Sequence, residues 1–281
     1  MSTGTLSEKS WRNTLRSQIK RLTFIVLLPS IFCRADEPES NAVKRGREFL
    51  LRLMHPELHL LPEFAGHHVI WLYHDNYLAA KVLAPTHPAE AAKITTAIRR
   101  YGGERSGKIE MLFGEGALPL RRYELRDVAK TVKFTIRSEF TTDELNAHFD
   151  GYADLLCFAA IAEPDAAKAR AHFAAALAMW DGTGFNDEAT RHSKLYATYK
   201  LALALRSARR FEMQSPALTA MRGRLLKMQV DSGGWITDYK PDGTPVGMAN
   251  VETTSLAILA LDPALQPAAA PAKQRAVNDG K

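Results

Sequence analysis

The chain has 281 residues, 46% hydrophobic and 24% charged, the balance of a folded globular protein rather than a disordered or fibrous one. No apolar run reaches the roughly 18–20 residues of a spanning helix, so no membrane span is expected in the body of the chain. The formal net charge is +6, but the first 35 residues hold six of the 37 Lys and Arg and only one of the 31 Asp and Glu. The remainder carries 31 basic against 30 acidic groups, which removes the electrostatic case for nucleic-acid binding.

The first 35 residues read as a separate object. Lys9, Arg12, Arg16, Lys20 and Arg21 precede the apolar "LTFIVLLPSIF" (22–32), and "CRA" (33–35) places small residues three positions and one position before a cleavage point. A charged region, a short apolar region and a small-x-small site are the marks of a secretory signal peptide. Cleavage after Ala35 and a secreted or periplasmic protein are therefore expected. Cys157 is then the one remaining cysteine, in the apolar "DLLCFAAIA", where a buried hydrophobe is expected rather than a nucleophile.

Two kinds of helical segment alternate from there on. "NAVKRGREFLLRLM" (41–54), "HPAEAAKITTAIRRYGG" (87–103), "PDAAKARAHFAAALAMWDG" (164–182) and "SPALTAMRGRLLKMQ" (215–229) are amphipathic. The last three carry Pro near the start and polar or glycine residues near the end, the order of helix start and stop. "DNYLAAKVLA" (75–84), "GYADLLCFAAIA" (151–162), "KLYATYKLALAL" (194–205) and "NVETTSLAILAL" (250–261) are apolar nearly all round, and such helices belong in an interior. One stretch, 106–140, breaks the pattern. Its "KIEMLF" and "KTVKFTIRSEF" read as strands of a small β insertion inside the second pair. "RSARR" (206–210) is expected to cap a helix C-terminus, and the Ala/Pro-rich 263–281 to be a disordered tail.

Four amphipathic/buried pairs at a spacing of roughly 50 residues suggest stacked helical hairpins. The expected fold is mainly α, an α/α-toroid-like ring of about four helical hairpins spanning 36–262, with the buried set inside. "RGRLLKMQVDSGGW" (222–235) resembles the QW repeat of the squalene and oxidosqualene cyclases, through Arg222, Gly223, Leu225, Gln229, Gly233 and Trp235. The following "NVETTSLAILAL" resembles the inner-helix starts of the wider α/α-toroid group. The resemblance covers the last repeat and implies a fold, with the Gln capping a neighbouring helix and the Trp acting mainly as a staple between hairpins. It does not bring an activity. The chain lacks a DxDD cluster, a DDxxD motif, a Cys-containing zinc set and a GCGEQ loop, which leaves a degenerate cyclase as a weak third reading.

In such a ring the starts of the inner helices share one mouth. Here those starts carry His74, Asp75 and Asn76; Asp150, Tyr152 and Asp154; Tyr196 and Tyr199; Asn250 and Glu252. Helix capping accounts for any one of the polar groups, whereas carboxylates accompanied by aromatics suit a carbohydrate cleft. Asp75 and Asp150 are the acid/base candidates, and His74, Tyr152, Tyr199 and Trp235 the substrate-binding ones. An oligosaccharide or polysaccharide is the expected partner, acted on by a hydrolase, lyase or epimerase, or simply bound. A filled scaffold with a protein partner is the rival. No cofactor and no metal are expected: "FAGHHVIWLYHDNY" (64–77) is rich in histidine, but the adjacent His67 and His68 point opposite ways on a strand and do not chelate together. The Gly-rich "WDGTGFNDEATRHSKLYATYK" (180–200), entering an inner helix, lacks the order of a phosphate loop.

Overall fold

The structure, a computed structural model, describes residues 37–265 apart from 68, 104–106, 117 and 133. The expected leader, His68 and residues 266–281 of the expected tail lie outside the described residues. The described chain is mainly helical, with nine α-helices and two small three-stranded sheets. None of these helices is long and apolar enough to cross a membrane.

Eight of the nine helices fall on the eight segments. The chain runs α1 (Glu37–Leu53), β1 (Ile70–Leu72), α2 (Tyr73–Leu83), α3 (Pro88–Arg100), β2 (Arg121–Lys130), β3 (Thr135–Leu145), α4 (Ala153–Ala162) and α5 (Ala166–Ala178). It continues through α6 (Glu188–Ser193), β4 (Tyr196–Ala197), α7 (Thr198–Arg210), α8 (Pro216–Lys227), β5 (Trp235–Tyr239), β6 (Pro245–Asn250) and α9 (Val251–Leu261). The two helix types behave as their composition requires. Amphipathic α3 buries only Ala91, Ile94 and Ala97, whereas α9 buries every residue except Glu252. α9 packs against α1, α2 and α7, and α4 against α5 and α7, while α3 covers α2 and α8 covers α7.

Helix ends are satisfied by local chemistry. Asp165 accepts from the amides of Ala167 and Lys168 at the start of α5, and Ser215 accepts from Leu218 ahead of Pro216 in α8. At the other ends, arginines meet the last carbonyls. Arg210 donates to the oxygens of Ala160 (2.7 Å) and Glu163 (2.7 Å) at the end of α4, as the "RSARR" run predicts. Arg47 donates to Val82 O (3.0 Å) at the end of α2 and pairs with Asp262 past the end of α9. Cations thus gather where the buried helices stop, the favoured sense of the helix dipole.

The β insertion differs from the expectation in two ways. "KIEMLF" is not a strand but a 3-10 turn, Ile109–Phe113, bracketed by Gly107 and Gly114 at φ +78° and +73°. Ile109, Glu110, Met111 and Leu112 are all buried, so the two-residue alternation of a half-exposed strand is not there. The first hairpin strand is instead β2, "RRYELRDVAK", exposed along nearly its whole length as an edge, and β3 extends to Leu145. β3 pairs antiparallel with β2 and parallel with β1, in the sheet order β1-β3-β2. The second sheet, β4-β5-β6, carries no signal that composition revealed. The first three residues of the expected tail, Pro263–Leu265, form a 3-10 turn whose last carbonyl accepts from Arg206 (2.7 Å).

Trp235 is fully buried. Its Nε1 donates to Leu225 O (2.8 Å) and its amide to Thr254 Oγ1 (2.9 Å). Gly46 of α1 lies so close that a Cβ there would stand 2.7 Å from the indole. Gln229 donates to Ala42 O of α1 and to Gly233 O, both at 2.8 Å. These contacts fasten the α8–β5 connection to the first helix, and they place Trp235 in the core with no surface to offer a substrate.

Candidate functional site

Three of the four buried helices start where a short strand stops: β1 runs into α2, β4 into α7 and β6 into α9. Sheet register therefore decides which side chains meet at the helix starts. β1 pairs Leu72 with Arg137, so Glu139, two residues on, comes alongside His74 in the first turn of α2. On the other side, Val251 N donates to Glu63 O (2.9 Å) and Phe64 bridges to Asn250. That contact holds the 63–64 segment against the start of α9, where Asn250 caps by accepting from Thr253 N (2.9 Å) and Glu252 follows the cap.

The result is a cluster of His74, Asp75, Glu139 and Glu252. Asp75 is 1% exposed and Glu139 3%. His74 Nε2 lies 3.2 Å from Asp75 Oδ1, and its Nδ1 lies 3.4 Å from Glu139 Oε1. Ligand atoms of His74, Asp75 and Glu252 all fall within 4.8 Å of one another. Among the described residues no donor gives a hydrogen bond to either oxygen of Asp75 or to Glu139 Oε2. A buried carboxylate without donors is costly. Burial raises the Asp75 carboxyl above its ordinary range, with Glu252, Glu63 and Glu139 adding to the shift and His74 opposing it. Burial works against the His74 imidazolium, but Asp75, Glu139 and Glu252 outweigh it and raise that group too. His74 and Asp75 thus both hold on to protons. Lys108 stands beside the cluster, its ammonium 4.0 Å from the Tyr123 ring centre. Burial opposes the Lys108 charge, and Glu139 and Tyr123 more than restore it.

A second polar group spans the starts of α4, α6 and α7. Asp187, fully buried, caps α6 by accepting from Thr190 N (3.1 Å), and accepts from Ala153 N (3.1 Å) and Lys200 Nζ (2.5 Å). Burial pushes its carboxyl up, but Lys200 and the two amides hold it below the ordinary range. Tyr199 donates to Asp154 Oδ2 (3.0 Å). Burial, then Asp154 and Glu252, keep that phenol far from ionising, so the charges of the two groups reach each other across Tyr199.

The candidates from sequence divide accordingly. His74 and Asp75 stand together, with Glu252 as a third. Tyr199 meets Asp154. Tyr152 is half-buried and hydrogen-bonds Glu188, which raises its phenol pKa. Asp150 is exposed in the 3-10 turn Phe149–Gly151 and is not among the carboxylates acting most strongly on Asp75. Asn76 is structural, bonding Leu61 N (2.7 Å), Leu61 O (3.0 Å) and Leu72 O (2.9 Å). Cys157 is buried, and burial pushes its thiol up to about 12, as suits an inert core residue. Glu139 and Lys108 were not among the expected residues. Both lie in the insertion, where no helix start marks them.

No family model matches the chain, and neither does any curated protein or solved structure, so the chemistry of the site must be read from its own atoms.

Proposed function

We propose that the chain is an exported α/α-toroid-like protein that acts on or binds carbohydrate through the mouth formed by the starts of α2, α4, α7 and α9. The reading is supported by the contacts α2–α9, α9–α7 and α7–α4, the sequence of neighbours that such a ring would have. The observation that carries the reading is the donor-free Asp75 carboxyl with an atom of Glu252 within 4.8 Å. A retaining glycosidase sets its two carboxyl groups about 5 Å apart. Asp75 and Glu252 are the carboxyl pair of this reading, Glu252 taking the place first given to Asp150. His74 and Glu139 flank Asp75, Tyr199 and Tyr123 supply aromatic surface on this side, and Tyr152 stands with Glu188 in the second polar group.

Thermal melting of the protein with neutral and uronic-acid oligosaccharides tests the proposal. A saturable rise in melting temperature with one sugar class, lost in Asp75→Asn, is expected. No shift with any sugar sinks the reading in favour of a non-catalytic scaffold. That second reading has one observation behind it: α9 is buried along its whole length beyond Glu252, which suits an interior filled by side chains.

A further inference from the structure

We infer that His74, Asp75 and Glu252 form a binding site for one divalent transition cation, with Glu139 as the positioning residue behind His74. The inference rests on the reading of this mouth as a carbohydrate-binding site; with the cation bound, Asp75 and Glu252 serve as its ligands rather than as the free carboxyl pair of a glycosidase.

Three independent features support it. The first is spacing. Bonds of about 2.0–2.2 Å from nitrogen and oxygen to zinc put neighbouring ligand atoms roughly 3–3.5 Å apart, and opposed ones no more than about 4.4 Å. His74 Nε2 and Asp75 Oδ1 are already 3.2 Å apart. All three donors lie within 4.8 Å of one another, so a movement of about 1 Å at Glu252 brings the set to the spacing of a tetrahedral ion. Glu252 is half-buried in the first turn of α9, at the rim.

The second is the state of Asp75. It is 99% buried in the residue sense, at 1% exposure, and neither oxygen receives a hydrogen bond from any described donor. A carboxylate that the fold merely used for structure would be met by amides or a lysine, as Asp187 is. A cation supplies what those donors supply there.

The third is the imidazole. A metal-bound histidine presents one ring nitrogen to the ion and gives the other N–H to a carboxylate, which fixes tautomer and ring orientation. His74 has that arrangement. Nδ1 faces Glu139 Oε1 at 3.4 Å, short of a formed hydrogen bond but in line to become one by a small rotation, while Nε2 faces Asp75. One imidazole and two carboxylates suit zinc, manganese or cobalt better than magnesium or calcium, which prefer an all-oxygen shell. The open positions of such an ion face the rim, where a sugar hydroxyl or a uronate carboxylate binds as a further ligand.

The test is calorimetric titration of the chelator-stripped full chain with zinc, manganese and magnesium chlorides, without sugar. One equivalent of zinc or manganese is expected to bind, with magnesium at least about tenfold weaker. Glu252→Gln, at the rim and conservative in size, is expected to weaken binding about 100-fold. Glu139→Gln, which touches no metal, is expected to weaken it about 10–100-fold. Asp143→Asn, on an exposed strand residue, leaves it unchanged. Cobalt absorption in the visible provides a second readout of nitrogen coordination, lost in His74→Gln. No binding of zinc, manganese or cobalt by the folded wild type overturns the inference, as does binding that survives both Glu252→Gln and His74→Gln. Failure of every sugar to shift melting, with metal binding intact, would remove the carbohydrate reading alone.

Discussion

Asp75 and Asp187 are equally buried, and both sit where buried helices begin, yet the fold treats them in opposite ways. Asp187 receives two amides and the Lys200 ammonium and is held ionised. Asp75 receives no hydrogen bond from a described donor and is pushed by burial towards its protonated form, against the opposing His74 3.2 Å away and with Glu252, Glu63 and Glu139 adding to the effect. A carboxylate whose lone pairs are all answered inside the protein stabilises it. One left unanswered lowers stability, and its persistence points to something outside the chain that answers it. The contrast separates the polar group at the starts of α4, α6 and α7 from the cluster at α2, β3 and α9.

Removing the answered carboxylate has the largest consequence. Asp187→Ala strands Lys200, which is 2% exposed, without its closest partner, and breaking a buried pair in this way costs about 3–5 kcal/mol. Chemical denaturation reads that loss directly, and a cost under about 1 kcal/mol would show that the Lys200 pair is dispensable. Acid gives the same result by another route. Because the folded Asp187 carboxyl lies below its unfolded value near 3.9, its contribution is complete above about pH 4 and is lost as pH falls through the lower folded value. Melting curves of wild type and Asp187→Asn are therefore expected to converge below about pH 4, and a constant gap down to pH 2 would refute the assignment. Tyr199→Phe removes the hydroxyl that answers Asp154, at about 1.5–3 kcal/mol for a bond to a carboxylate. Asp150→Asn, on the exposed turn, is expected to change neither melting temperature nor ligand response. A loss of ligand response there would return Asp150 to the site.

Much of the helical architecture was legible because each buried helix is apolar on all sides and each covering helix is not. Apolar residues at every position of 256–261 leave no polar face to expose there, and Pro88, Ser215 and Pro216 mark where covering helices start. The site was only half legible. His74 and Asp75 announce themselves beside an apolar run, and Glu252 follows an asparagine cap. Glu139 does not, because its place beside His74 is set by a three-residue parallel pairing of β1 with β3, a non-local register that no window of sequence contains. β2 escaped for a related reason: an exposed edge strand of "RRYELRDVAK" has no apolar alternation to betray it. Trp235 was read as both staple and ligand platform, and its burial against Gly46 leaves it no ligand-facing surface. Asp187 lay inside a Gly-rich loop, where an aspartate before "EAT" reads as an ordinary cap. Its capping bond is local, but its bonds to Ala153 and Lys200 are not.

The central claim is that these two buried aspartates do opposite work, and one paired measurement tests it. Asp75→Asn and Asp187→Asn are melted side by side at pH 7 in chelator-treated, sugar-free buffer. The account predicts that Asp187→Asn falls by at least about 5 °C, the shift that a loss of about 2 kcal/mol gives at this size, while Asp75→Asn melts no lower than wild type. A fall in Asp75→Asn as large as that in Asp187→Asn would contradict it, since Asp75 would then hold the fold together and have nothing left to offer a ligand.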